Sequence, residues 1–131
     1  MPSSLVKKLR IQAGQRVLIL NAPPGYVESL VDLPQDVTIS NGGEGPFDFV
    51  HLFVRDSAQY HDLIGQATKA VVYDGLLWIS YPKRSAKVET DLSRDDFWGL
   101  AAEAGLRPVT QISVDEVWSA LRFRPAAEVG K

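Results

Sequence analysis

The sequence contains no cysteine, and this absence excludes several kinds of site. Without a thiol, the chain can form no disulfide, no thiolate nucleophile and no cysteine-based metal centre. His51 and His61 are its only histidines. A structural zinc site is built from a full set of cysteine and histidine ligands, so we predict no metal site.

Long apolar segments are missing as well. No apolar run approaches the roughly 20 residues that a membrane-spanning helix needs, and Met1–Arg10 lacks the apolar core of a signal peptide. We therefore expect a cytoplasmic protein with no membrane partner. The net charge of −2 gives no overall attraction to nucleic acid, so nucleic acid is not an expected partner either.

What the chain does contain is typical of a globular protein. Apolar residues make up 45% of the sequence and charged residues 23%. A length of 131 residues suffices for one domain with a single core. We assign residues 1–125 to one α/β domain and residues 126–131 to a loose C-terminal tail.

Apolar runs between turn residues predict six strands. Val17–Leu20 and Phe47–Val54 are apolar on both faces, as in strands buried inside a parallel sheet. The other four predicted strands are Val37–Ser40, Leu76–Tyr81, Val109–Val114 and Val117–Phe123. Only Asp115 and Glu116 separate the last two strands, a connection too short for a parallel crossover. These two strands must therefore form an antiparallel hairpin.

Helical patterns alternate with the strands. Asp56 followed by Gln59 forms a capping box at the start of one helix. A second helix is predicted to begin at Ser93 and to end at Gly105, and Tyr26–Asp32 can form two further turns. Right-handed crossovers then give an α/β, Rossmann-like three-layer domain. We predict a mostly parallel six-stranded sheet of order 2-1-3-4-6-5, in which only the last strand is antiparallel to the rest.

This arrangement resembles a shortened class I S-adenosylmethionine (SAM)-dependent methyltransferase. The segments that carry the resemblance are Gly14–Leu20, Phe47–Val50, Asp74–Ile79, Ala104–Leu106 and Trp118–Phe123. It implies a Rossmann-like sheet with an antiparallel last strand. More narrowly, the chain is similar to a family of small uncharacterised bacterial proteins with the same core, and that similarity implies the fold and no particular activity.

The loop after the first strand departs from the pattern of the enzymes. Their loop is rich in glycine, which lets the backbone approach the cofactor. Here Pro23 and Pro24 supply no N–H, and Gly25 is the only glycine of the loop. Tyr26 is large enough to fill the space that glycines would leave free. We therefore expect a space too small or too poor in donors for an adenosine-type ligand.

The end of the second strand departs from the pattern too. Dinucleotide-binding folds place a carboxylate there to hold the ribose hydroxyls, whereas this chain has Ser40 and Asn41. Glu44 follows in a glycine-rich loop, which would support it poorly. These departures predict a domain without a cofactor and without catalytic residues.

Basic residues follow the ends of the third and fourth strands. Arg55, Lys83 and Arg84 lie at the carboxyl edge of the sheet, where open α/β folds bind ligands, and Asn21 shares this edge. One interpretation is a site for a small anion formed by these four residues. The other is a solvated basic loop. His51, in contrast, lies mid-strand between apolar residues and is interpreted as a hydrogen-bonded core histidine.

Two functions remain open. The main interpretation is a non-catalytic methyltransferase-like domain that binds a partner protein or a small anionic ligand. The alternative is a small SAM-dependent methyltransferase with an atypical cofactor pocket. In that case Asn21, Gly25, Ser40 and Asn41 would contact S-adenosylmethionine.

Overall fold

Strands and helices alternate along the chain in the computed structural model, which describes residues 5–30, 33–43, 45–83, 90–93 and 95–129. The helices are α1 (Leu5–Leu9), α2 (Ser57–Ala70) and α3 (Asp96–Glu103), and the strands are β1 (Arg16–Leu20), β2 (Thr38–Ser40), β3 (Phe47–Phe53), β4 (Val71–Pro82), β5 (Leu106–Ser113) and β6 (Trp118–Pro125). Two 3₁₀ turns, Val27–Ser29 and Ala126–Glu128, complete the described elements. None of the helices in these ranges is long and apolar enough to cross a membrane.

The six strands form one sheet in the order β2-β1-β3-β4-β6-β5. The pairs β1–β2, β1–β3 and β3–β4 are parallel, whereas β6 is antiparallel to both β4 and β5. The predicted α/β class, strand order and antiparallel last strand are thus confirmed. The interior place of β1 explains its continuous aliphatic run, because Val17 and Leu18 are fully buried on opposite faces of the sheet.

Each face of the sheet carries its own apolar cluster. On one face, Leu18, Val50 and Ile79 pack with Tyr60 of α2 and Phe97 of α3. On the other face, a second cluster joins α1, the loop after β1 and the inner strands; it includes Val6, Leu9, Val17, Tyr26, Phe49, Trp78 and Trp118. The indole Nε1 of Trp78 donates a hydrogen bond to the Leu9 carbonyl oxygen at 3.0 Å and so fixes α1 on the sheet.

The structure differs from the predicted elements near the loop that follows β1. Instead of two helical turns at Tyr26–Asp32, a single 3₁₀ turn spans Val27–Ser29. Leu30 already has an extended backbone, with ψ near 93°, and its side chain is buried. Because Tyr26 and Leu30, on either side of the turn, are both buried, the helical segment does not continue beyond Ser29. Residues 31–32 lie outside the described part of the chain.

The fourth strand begins earlier than predicted. α2 ends at Ala70 and β4 starts at Val71, with no loop between them. The pairing with β3 shifts between Phe47 and Phe49, which lie opposite Val71 and Leu76. β4 therefore has extra residues at this point, and its backbone bends there. Asp74 lies in this bend with a positive φ of 56°, a conformation that Asp tolerates better than most residues. Asp74 and Gly75 therefore form an irregularity within a strand that begins before the predicted Leu76.

Two further boundaries differ. α3 begins at Asp96 rather than Ser93, because Asp96 Oδ2 accepts hydrogen bonds from the N–H and the hydroxyl of Ser93. β5 begins at Leu106 rather than Val109, since it pairs with β6 from Pro125 onward. The segment after β6 starts with a 3₁₀ turn in which the Ala126 N–H donates to the Gly105 carbonyl at 2.9 Å.

Candidate functional site

The end of β1 is tied to the end of β3 by one side chain. Asn21 has a positive φ of 59°, a backbone region that Asn visits more readily than most residues. Its Nδ2 donates to the Phe53 carbonyl oxygen at 2.9 Å and to Gln59 Oε1 at 3.2 Å. Asn21 therefore holds the loop after β1 against the start of α2, at the carboxyl edge of the sheet.

The same edge is stiffened by the capping of α2. Asp56 Oδ1 accepts the Gln59 N–H at 2.9 Å, as the capping box predicts. The Gln59 side chain, however, accepts the Arg55 N–H at 2.8 Å rather than that of the cap residue. Gln59 Oε1 thus accepts hydrogen bonds from both Arg55 and Asn21, which joins the loop after β1 to the loop after β3.

A cleft of about 920 Å³ opens between the loop after β1 and the end of β2. Its volume lies within the range of small-molecule and cofactor sites. The described residues that line it are Ile19, Asn21, Ala22, Pro23, Pro24, Gly25, Val27, Glu28, Ile39, Ser40, Asn41 and Gly42. The space was expected to be too small or too poor in donors for an adenosine-type ligand. Its volume contradicts the first part of that expectation, and the second part stays a prediction.

Tyr26 does not occupy the cleft, contrary to the prediction from its size. Its side chain is only 5% exposed and points beneath the loop into the core. The hydroxyl is 2.7 Å from His51 Nδ1, and the ring packs edge-on against Phe53 at 4.6 Å between centroids. Burial of the ring with a partner for its hydroxyl is more stable than exposure in an open cleft. Burial also raises the pKa of the Tyr26 hydroxyl.

His51 connects Tyr26 to the fourth strand. It is fully buried, and its Nε2 lies 2.6 Å from Ser80 Oγ. Both ring nitrogens thus have partners, as interpreted for a core histidine. Burial disfavours the charged imidazolium and lowers the pKa of His51 to about 3. The histidine is therefore neutral at physiological pH and acts as a structural link between loop, β3 and β4.

The cleft combines apolar walls with a small set of polar groups. Ile19, Val27 and Ile39 supply apolar surface, and Ser40 and Asn41 supply a hydroxyl and an amide. Glu28 is the one acidic residue among the described residues that line the cleft, and no lysine or arginine is among them. The cleft therefore favours a ligand with hydroxyl, ammonium or sulfonium groups over one with phosphates.

Glu28 was not predicted as a site residue, because dinucleotide-binding folds place their carboxylate at the end of the second strand. Glu28 instead lies in the 3₁₀ turn directly after the loop. The signal that could have found it is its position three residues beyond Gly25 in the sequence. The alternative set of cofactor contacts, Asn21, Gly25, Ser40 and Asn41, does line this cleft. Glu44 lies outside the described residues.

The residues of the predicted anion site are placed in different surroundings. Arg55 is exposed beyond β3, and its backbone shares Gln59 with Asn21. Lys83 turns to the β5–β6 hairpin, where its Nζ donates to Ser113 Oγ at 2.7 Å. Arg84 lies outside the described residues. The anion site stays a prediction.

Comparisons with known proteins identify the fold. No protein-family model and no curated protein matches the sequence. Among solved structures, the N-methyltransferase NodS from Bradyrhizobium japonicum WM9, in complex with S-adenosyl-L-homocysteine (SAH), is 16% identical with a TM-score of 0.57, covering 92% of this chain and 83% of its own. The DhpI–SAH complex is 12% identical with a TM-score of 0.64 and coverages of 93% and 82%.

A third similar structure is the ribosomal protein L11 methylase from Lactobacillus delbrueckii subsp. bulgaricus. It is 12% identical with a TM-score of 0.59, covering 92% of this chain and 74% of that one. The prediction of a domain without a cofactor is contradicted, because neighbours that share this fold were solved with SAH and the predicted obstruction by Tyr26 is absent. The chain has a methyltransferase-like Rossmann fold.

Proposed function

We propose that the protein is a small SAM-dependent methyltransferase that binds its cofactor in the cleft between the loop after β1 and the end of β2. The observation that carries this proposal is the cleft itself, with Glu28 and no described basic side chain in its lining. The cleft also lies beside the point where the sheet order reverses around β1, which is where open α/β sheets bind ligands.

The lining residues fit the chemical groups of SAM. Ile19, Val27 and Ile39 offer apolar contact to a purine ring. Ser40 and Asn41 lie at the end of β2, where a ribose would meet a hydroxyl and an amide. Bound SAM would supply an electrophilic methyl group on a positively charged sulfonium.

Glu28 would take the role of the carboxylate that is missing at the end of β2. Its carboxylate can accept hydrogen bonds from hydroxyl or ammonium groups, and its charge favours a cationic ligand. Asn21 cannot turn freely toward the cofactor, because its amide is bound to Phe53 and Gln59. Its role is to position the loop.

Two observations favour this function over a non-catalytic anion-binding domain. Similar solved structures include a ribosomal protein L11 methylase and the N-methyltransferase NodS, and NodS and DhpI were solved with SAH. The cleft lining, in the described residues, has a carboxylate and no cation, which opposes an anionic ligand there.

Titration with SAH tests the proposal. We expect SAH to stabilise the protein by about 2.7 kcal/mol at 100 times Kd, which is several degrees in Tm for a domain of this size. Glu28→Gln should weaken SAH binding roughly tenfold, because it removes a charge-assisted hydrogen bond. Thermal unfolding with and without SAH measures the stabilisation, and calorimetric titration with SAH and SAM measures the affinities.

Glu116→Gln is the matched control, since Glu116 is exposed in the β5–β6 turn and does not line the cleft. It should bind SAH as the wild type does. Ile39→Trp should abolish SAH binding by filling the cleft while the free protein still melts cooperatively. A flat response of the wild type at millimolar SAH would rule the proposed function out.

A further inference from the structure

A second cavity shares the loop after β1 with the proposed cofactor cleft. Its volume is about 460 Å³, and Pro23, Pro24 and Gly25 line both spaces. The other lining residues include Leu5 of α1 and, at the β5–β6 turn, Val114, Asp115, Val117 and Trp118. Because the two spaces share these loop residues, an occupant of the second cavity would lie next to a ligand in the first.

The walls of this cavity are mostly apolar. The apolar residues that line it are Leu5, Pro23, Pro24, Val114, Val117 and Trp118. Two of the polar side chains, Ser29 and Tyr26, already have partners: the Ser29 hydroxyl donates to the Tyr26 carbonyl oxygen, and the Tyr26 hydroxyl lies 2.7 Å from His51 Nδ1. An occupant would therefore gain most of its contact from an apolar body.

Asp115 provides the remaining polar group. Its Oδ1 accepts the N–H groups of Val117 and Trp118, both at 2.8 Å. No hydrogen bond to Oδ2 is found among the described residues, and the one ion pair between described residues is Arg124–Asp74. One carboxylate oxygen and the negative charge are thus available to a ligand.

Lys83, which hydrogen-bonds to this turn, makes no ion pair with Asp115. Lys83 donates its backbone N–H to the Val117 carbonyl oxygen at 2.7 Å and its Nζ to Ser113 Oγ at 2.7 Å. Both bonds hold the hairpin turn, and no described lysine or arginine lines the cavity. The described residues of the cavity thus carry a carboxylate and no cation, which favours a cation or a hydrogen-bond donor over an anion.

We propose that this second cavity is the methyl-acceptor site and that it takes small amines with an aryl or alkyl body. The inference rests on the proposed function, because it names the acceptor for the donor in the neighbouring cleft. The apolar walls would bind the body of the amine, and Asp115 would bind its nitrogen. Carboxylates of the same shape would be repelled by Asp115.

Methyl transfer to such an amine balances without a further reactant. An amine that binds as a cation would first lose its extra proton to solvent. The lone pair of the neutral amine would then form the new N–C bond with the methyl group while the S–C bond of the donor breaks and its electron pair stays on sulfur. The nitrogen then loses a proton, which passes through the exposed Asp115 carboxylate to solvent.

A matched panel of ligands tests the acceptor class. Small aryl- and alkylamines, with the carboxylates and alcohols of the same skeletons, would be screened at millimolar concentration by ligand-observed NMR with SAH present. We expect the amines to bind and the carboxylates not to bind. Asp115→Asn should weaken amine binding roughly tenfold, since it removes the charge from the hydrogen bond, while its side-chain oxygen can still accept the two N–H groups of the turn.

SAH affinity, measured on the same samples, separates this inference from the proposed function. Asp115→Asn and the control Glu116→Gln should both keep wild-type SAH affinity, and the control should also keep amine binding. The acceptor assignment would be wrong if SAH binds but no amine does, or if amines, alcohols and acids bind equally well. Neither result would contradict the cofactor assignment. If SAH does not bind, the proposed function falls.

Discussion

Replacing Tyr26 by alanine should lower the free energy of unfolding by about 3–5 kcal/mol, the usual cost of truncating a buried aromatic side chain. The ring is 5% exposed and packs against both His51 and Phe53. Its removal leaves a cavity beneath the loop that forms one wall of the proposed cofactor cleft. We therefore expect Tyr26→Ala also to weaken SAH binding, as measured by urea unfolding and calorimetric titration.

Tyr26→Phe separates packing from hydrogen bonding. The phenylalanine ring keeps the apolar contacts but leaves His51 Nδ1 without its partner at 2.7 Å. A buried polar atom left unpaired costs about 1–3 kcal/mol, so this variant should lie between the wild type and alanine. Equal stability of Tyr26→Phe and the wild type would show that the hydroxyl has no part in holding the loop.

Acidification should destabilise the fold through His51. The pKa of this residue is about 3 in the folded protein, lowered by burial, against about 6.5 in an unfolded chain. The unfolded state therefore binds the proton more readily below about pH 6.5, and stability falls with pH until about pH 3 is reached. From pH 7 to pH 5 this one group should lower the free energy of unfolding by about 2 kcal/mol.

His51→Gln should lose this dependence, because glutamine does not titrate, although the variant starts from a lower stability. His61→Gln is the matched control, as His61 is exposed on α2, and it should keep the wild-type dependence. Urea unfolding at pH 7 and pH 5 gives the differences directly. An identical loss of stability in wild type and His51→Gln would contradict the assignment.

The strand order could be predicted because local patterns determine it. The double-sided burial of Val17–Leu20 required strands on both sides of β1, and the short Asp115–Glu116 connection required an antiparallel hairpin. Both features are present in the sheet. The boundaries of β4 could not be predicted, because the irregularity at Asp74 arises from its pairing with a distant strand.

The cleft after β1 could not be predicted, because it stays open only if the Tyr26 side chain points into the core. By its size, Tyr26 could as well fill the cleft as leave it open. Its direction is set by a hydrogen bond to His51, a residue that is far away in sequence and becomes its neighbour only through the pairing of β1 with β3. Glu28 was not predicted either. In the proposed site it provides a carboxylate from the 3₁₀ turn after β1, whereas dinucleotide-binding folds place one at the end of the second strand.

The backbone amide resonances of the labelled protein during a titration with SAH test the central claim most directly. If SAH occupies the cleft, the largest shift changes should fall on its non-proline lining residues, which are Ile19, Asn21, Ala22, Gly25, Val27, Glu28, Ile39, Ser40, Asn41 and Gly42. Val109 and Thr110, on the edge strand at the far side of the sheet, should not shift. Shift changes confined to other regions, or none at saturating SAH, would contradict the assignment of the cleft as a cofactor site.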